Sequence, residues 1–149
     1  MIDDDSLLKV FFQLYPDEDD YPPASVESVW AIVDPASPGV TIDNTPFFAR
    51  EATLGDVVST RLEDGCHWFE SVLQRSEYSL VRVYFFELDC MQRVREFLVG
   101  LGCSTESAPR YRLLAVSIPA SVSLSDVQAY LQAEKGRDNI DYEEPILRQ

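Results

Sequence analysis

Leu7–Tyr15, LLKVFFQLY, places Leu8, Val10, Phe12 and Leu14 on one side and Lys9 and Gln13 on the other. A period of two with one apolar side predicts a strand with one buried face. Asp17–Pro23, DEDDYPP, interrupts it, because clustered like charge and two prolines cannot continue a ladder. Ser25–Asp34 predicts a second strand, turned back by Pro35-Ala36-Ser37-Pro38-Gly39, and Val40–Asp43 a short third one. The stretch Thr41–Arg61 is dense in corners. It breaks at Asn44-Thr45-Pro46, restarts with Phe47-Phe48, and turns at Leu54-Gly55-Asp56 before Val57-Val58. Two corners so close together predict a strand bent around a small barrel. Val57–Leu62 and Cys66–Gln74 follow, joined through Glu63-Asp64-Gly65, and Asp-Gly between β-rich runs signals a hairpin. Ser79–Glu87 sets Val81, Val83 and Phe85 opposite Arg82 and Tyr84.

Beyond that strand the period lengthens. Asp89 with Gln92 predicts a capping box, and Met91, Val94, Leu98 and Leu101 follow at helical spacing to a stop at Gly100 and Gly102. Cys103–Ala108 and Tyr111–Ile118 predict strands. Ser123 with Asp126 opens a second helix bearing Leu124, Val127, Tyr130 and Leu131, closed by Gly136. Asn139–Glu143 ends the series as a strand. From Leu80 onward the order is β-α-β-β-α-β, the ferredoxin-like order. The expected fold class is therefore α+β: a small β-barrel-like subdomain over residues 1–79, then a ferredoxin-like subdomain over residues 80–149, packed as one compact unit.

Composition places these elements in a globular protein. Of 149 residues, 46% are hydrophobic and 11% aromatic, well clear of the disordered class. No apolar run approaches the roughly 20 residues that span a bilayer. The opening Met-Ile-Asp-Asp-Asp is acidic where a signal peptide is basic, so a cytoplasmic location is expected and no membrane partner. Three cysteines, Cys66, Cys90 and Cys103, form no framework and are expected as reduced, buried thiols.

Charge adds the main functional clue. The net charge is −14, and residues 1–30 hold eight acids (Asp3, Asp4, Asp5, Asp17, Glu18, Asp19, Asp20 and Glu27) against Lys9. Such a surface repels phosphate, which argues against direct nucleic-acid binding, and steers a basic protein toward it. The competing use of the same acids is solvation.

Candidate chemistry is sparse. One histidine and three scattered cysteines have no metal-ligand spacing, and no glycine run cradles a phosphate, so no cofactor is expected. Cys66 and His67 are neighbours on a strand and point to opposite faces, which denies them a dyad. Asp56, after Gly55, is expected to bond its own turn. Arg82, Arg110 and Arg112 are expected to pair within the protein.

ESVWAIV (Glu27–Val33), TIDNTPFFA (Thr41–Ala49), LGDVVS (Leu54–Ser59), YRLLAVSIPASVSLSDVQAYL (Tyr111–Leu131) and DYEEP (Asp141–Pro145) carry a resemblance. In these stretches the chain resembles the bacterial domain-of-unknown-function family numbered 4265. The Asn-Thr-Pro-Phe and Gly-Asp block is the more specific part. The resemblance brings no established catalytic residues to carry over.

The expected function is a non-catalytic binding protein, most concretely an immunity- or antitoxin-type inhibitor. It would neutralise a basic toxin or effector through Asp3, Asp4, Asp5, Asp17, Glu18, Asp19 and Asp20. The alternative is a small-molecule-sensing regulatory domain. Its ferredoxin-like half would serve as a platform for a homodimer, with a pocket between the barrel and the Met91–Leu101 helix.

Overall fold

The computed structural model describes residues 6–149, so Asp3, Asp4 and Asp5 of the expected acidic surface lie outside the described residues. The chain divides into two compact units, Met1–Ser76 and Glu77–Gln149.

The first unit is a closed five-stranded barrel, β1 (Leu7–Gln13), β2 (Val26–Val33), β3 (Val40–Ile42), β4 (Val57–Glu63) and β5 (Cys66–Gln74). Each strand turns back on the last, so with an odd number the first and fifth run the same way. The closing pair is accordingly parallel, with Val10 opposite His67 and Phe11 opposite Trp68. The β4–β5 turn is the expected hairpin. Asp64 (φ 53°) and Gly65 (φ 80°) both take the left-handed conformation that matches strand twist. The alternation of β1 holds, with Val10, Phe12 and Leu14 buried. They pack with Val29, Ala31, Ile42 and Val58, and Phe12 stacks on Phe69 at 5.0 Å. Gly39 sits where a Cβ would lie 2.3 Å from the backbone oxygen of Val58, so only glycine fits against β4 there.

The stretch Thr41–Arg61 departs from expectation. No strand restarts at Phe47-Phe48; residues 43–56 form a loop with Ala49, Ala52 and Thr53 buried. The bend comes instead from bulges in β5, where the register with β4 skips Leu73 between Val57 and Val58 and Glu70 between Ser59 and Thr60. Such bulges curve a strand without interrupting it.

The second unit holds β6 (Ser79–Phe85), α1 (Met91–Leu101), β7 (Ser104–Ala108), β8 (Leu113–Ile118), α2 (Leu124–Gly136) and β9 (Ile140–Ile146). Its antiparallel sheet runs in the order β7-β8-β6-β9, the ferredoxin-like arrangement. Val81, Val83, Phe85, Leu114, Val116 and Ile118 form one core with Val94 and Leu98 of α1 and Val127 and Leu131 of α2. Both helices therefore cover the same sheet face, and Phe97 stacks on Tyr130 between them at 3.9 Å.

Local details correct the sequence reading here too. Leu88–Cys90 is a 3-10 turn that makes Cys90 the cap residue of α1, with no side-chain cap, so Asp89 does not act as one. Leu101 faces outward rather than into the core. Gly100 lies within the helix, and Gly102 at φ 111° ends it. A turn at Pro109–Tyr111 and left-handed Arg112 (φ 58°) delay β8 to Leu113. The expected Ser123 cap is present, its Oγ accepting from the Asp126 N–H at 3.2 Å. β9 continues through Pro145, which an edge strand tolerates. Among the described residues, no helix is long and apolar enough to cross a membrane.

Candidate functional site

The acids Asp17, Glu18, Asp19 and Asp20 lie together in the β1–β2 loop, all exposed. They do not share one role. The Asp17 carboxylate accepts the N–H groups of Asp19 at 2.8 Å and Tyr21 at 3.1 Å, so it folds the loop. The Asp17 N–H donates to the Tyr21 carbonyl, and left-handed Asp20 completes the turn. Glu18, Asp19 and Asp20 are thereby presented on a shaped loop rather than a loose one.

Tyr15, just before this loop, is 80% exposed. It stands between two clefts that share Gln13. One, of about 400 Å³, is walled by Trp68, Arg61, Glu63, Asp64 and Cys66. The other is smaller, with Phe48, Arg50, Glu51 and Pro22 on its walls. The first cleft follows from strand register. Trp68 lies opposite both Arg61 on β4 and Phe11 on β1, so three neighbouring strands turn these side chains to one outer surface. Phe11 and Trp68 rings meet at 5.7 Å. Arg61 pairs with Glu63 at 3.1 Å, with both side chains well exposed. An exposed tyrosine flanked by depressions and rimmed by acids is an arrangement suited to protein contact.

Sequence reasoning missed Tyr15, Trp68 and Arg61. The alternation that sends Leu14 inward sends Tyr15 outward, and the Asp64-Gly65 turn sets Trp68 opposite Arg61, so those signals were available; the meeting of Trp68 with Phe11 needed the barrel's closure.

The residues weighed for chemistry have other uses. Cys66 and His67 are successive on β5, and His67 Nδ1 lies 3.4 Å from the Thr60 hydroxyl. Among the described residues, no group of three His, Cys, Asp or Glu side chains could hold a metal ion. Cys103 is buried, and desolvation pushes its thiol up to about 11, away from the reactive thiolate. Buried Asp56 accepts the N–H of Thr53 at 3.0 Å and of Ser76 at 2.8 Å, tying the loop to the end of β5. Arg82 pairs across strands with Glu143 at 3.3 Å, as expected. Arg112 donates to the Phe86 carbonyl at 3.1 Å, and Arg110 lies over the Tyr111 ring.

In the second unit, a cleft beside α1 is lined by second-unit residues alone, among them Leu88, Met91 and Arg95. Further along the helices, buried Glu134 accepts from Arg93 at 2.5 and 3.1 Å and from Asn139 at 3.1 Å, with Arg137 at 3.5 Å. The Arg93 hydrogen bonds hold its carboxyl down to about 2 against the opposing effect of burial. Reciprocally, the Arg93 guanidinium is held more firmly protonated. This network joins the two helices.

No curated protein matches the chain. Among solved structures, it is similar to a crystal structure of a hypothetical protein from Neisseria gonorrhoeae. The TM-score is 0.73 at 19% identity, with 95% of each chain covered. At that identity the likeness speaks for a common fold. The sequence blocks that carried the family resemblance are joined in space. The Glu27 carboxylate of β2 accepts the successive N–H groups of Phe47 (2.6 Å), Phe48 (3.0 Å) and Ala49 (2.8 Å). Asn44 Oδ1 accepts the N–H of Trp30 at 2.7 Å. These contacts fall within residues 27–142, the span matched by the family model described as domain of unknown function (DUF4265), and the chain belongs to that family.

Proposed function

We propose that this chain is a non-catalytic binding protein, an immunity- or antitoxin-type inhibitor that occupies a basic toxin or effector through the acid-rimmed end of its barrel. The observation that carries the reading is Tyr15, 80% exposed between two clefts and just ahead of the loop that carries Glu18, Asp19 and Asp20. A tyrosine brings large contact area at little rotamer cost and commonly anchors an interface. The acids around it raise the association rate with a basic surface and set specificity more than affinity.

The test separates anchor from steering. Bait protein would be cross-linked in its native host, the captured partner purified, and its binding kinetics measured at low and high salt. Tyr15→Ala should weaken binding by about tenfold or more, mostly through faster dissociation. Lysine at positions 18, 19 and 20, with Asp17 kept to hold the loop, should slow association about tenfold at low salt and much less at high salt. Unchanged kinetics in both variants would overturn the assignment.

A further inference from the structure

The two edges of the second unit's sheet are built differently. Among the described residues β9 pairs only with β6, and it carries Asp141, Glu143, Glu144 and Pro145, the charges and missing donor that discourage a further strand. Among the described residues β7 pairs only with β8, through five successive residue pairs with no bulge, and its sequence Ser-Thr-Glu-Ser-Ala has one charge and no proline. One edge is guarded by its own residues and the other, within the second unit, is not.

Beside β7 lies the cleft of about 430 Å³, with Leu88, Met91 and Pro109 as its apolar walls and Asp89, Gln92, Arg95 and Ser107 as its polar ones. Thr105 and Ser107 pair with Val116 and Leu114, which belong to the helix-side core, so these β7 residues face α1. Arg95 Nε donates to Thr105 Oγ1 at 3.2 Å, anchoring the guanidinium beside the strand. Its two terminal nitrogens have no acceptor among the described residues.

We infer that the β7 edge and this cleft together form a strand-addition site for an extended segment of a protein partner. The segment's backbone continues the β7 ladder. An apolar side chain enters between Leu88 and Met91, and a carboxylate faces Arg95. A second copy of this chain fits poorly as the added strand. An antiparallel self-pair centred on β7 sets Glu106 opposite its own copy, which repels. Glu106 pairs with Ala115, on the face away from α1, so self-pairing also offers Arg95 no carboxylate. The site is built from second-unit residues, and at Arg95 it takes a carboxylate rather than a cation.

The probe is a short synthetic peptide of alternating valine and threonine with a central glutamate, titrated into the isotope-labelled full chain and followed by NMR. Millimolar peptide should shift the β7 amides and slow their exchange with solvent. Replacing its glutamate by lysine, or using Arg95→Gln protein, should weaken the response about tenfold, since each removes a charge-assisted bond. N-methylating its backbone should abolish the response. Three results would overturn the inference: no shift on β7, equal responses to the glutamate and lysine peptides, or a concentration-dependent dimer in sedimentation that Ser107→Lys dissolves.

Discussion

The two units use their carboxylates in different ways. The first holds fifteen acidic residues against four basic ones, and the second eleven against eight. Where cations are scarce, acids are satisfied chiefly by backbone, the exposed Arg61–Glu63 pair apart. Glu27 accepts three successive N–H groups, Asp56 two, Asp17 two, and Asp34 takes the N–H of Ala36. Where cations are available, acids pair with them: Glu134 with Arg93 and Arg137, Glu143 with Arg82, and Asp141 with Lys135. For the buried and half-buried ones among them, Glu27, Asp56, Glu134 and Glu143, both solutions meet the same demand, that such a carboxylate be hydrogen-bonded. They differ in what they fix. Backbone acceptance shapes loops, as around the barrel end, whereas ion pairing ties one element to another, as α1 to α2.

Asp56 should give the largest effect. It is fully buried and holds two backbone donors from different segments. Asn at this position turns one acceptor into a donor facing an N–H. The expected loss is about 3 kcal/mol, read as a fall in the urea midpoint of first-unit unfolding. A loss below about 1 kcal/mol would mean that the loop is held by its apolar packing instead.

Glu134 tests the second solution and brings pH with it. Its folded value of about 2 lies below its ordinary 4.5, so its contribution is complete above pH 4.5 and disappears as pH falls from 4.5 toward 2. The full shift corresponds to about 3 kcal/mol, and since Arg93 is half exposed to water, roughly 2 kcal/mol is the expected loss. Glu134→Gln should flatten the acid limb of second-unit stability in thermal melts taken across that window. An unchanged limb would place the acid sensitivity elsewhere, with Asp141, held low chiefly by Lys135, the next group to replace.

How much of this was readable in the sequence follows the range of each interaction. Strands with clear alternation, such as Leu7–Gln13, and the Asp64-Gly65 hairpin depend on neighbours in the chain and were legible, as was the β-α-β-β-α-β order. The loop over residues 43–56 was not. Its donors are taken by Glu27, about twenty positions away, and a corner-rich sequence looks the same whether its N–H groups meet a ladder or a carboxylate. The start of α1 failed for a local reason, since the 3-10 turn at Leu88–Cys90 moved the cap position past Asp89. Tyr15 could be placed outward by parity alone. The cleft beside it could not in full, because Trp68 meets Arg61 across the Asp64-Gly65 hairpin but meets Phe11 only once the barrel closes.

The smallest expected effect bears most directly on the contrast between the units. Glu27→Gln keeps one acceptor oxygen and the shape of the side chain, while three N–H groups compete for it. A loss of about 1–2 kcal/mol is expected, because hydrogen bonds to a charged acceptor weaken when the acceptor becomes neutral. Salt makes the comparison decisive. The donors are backbone dipoles at 2.6–3.0 Å in a half-buried loop, so the stability lost in the Glu27→Gln variant should hardly change between low and high salt. The Arg82–Glu143 and Lys135–Asp141 pairs supply the control. Glu143→Gln and Asp141→Asn should lose part of their effect in high salt, Asp141→Asn the more, since both of its partners are exposed. If the Glu27 difference proved as salt-sensitive as that of Asp141, the barrel loop would be held by a net charge interaction. The division between backbone acceptance and ion pairing would then fail.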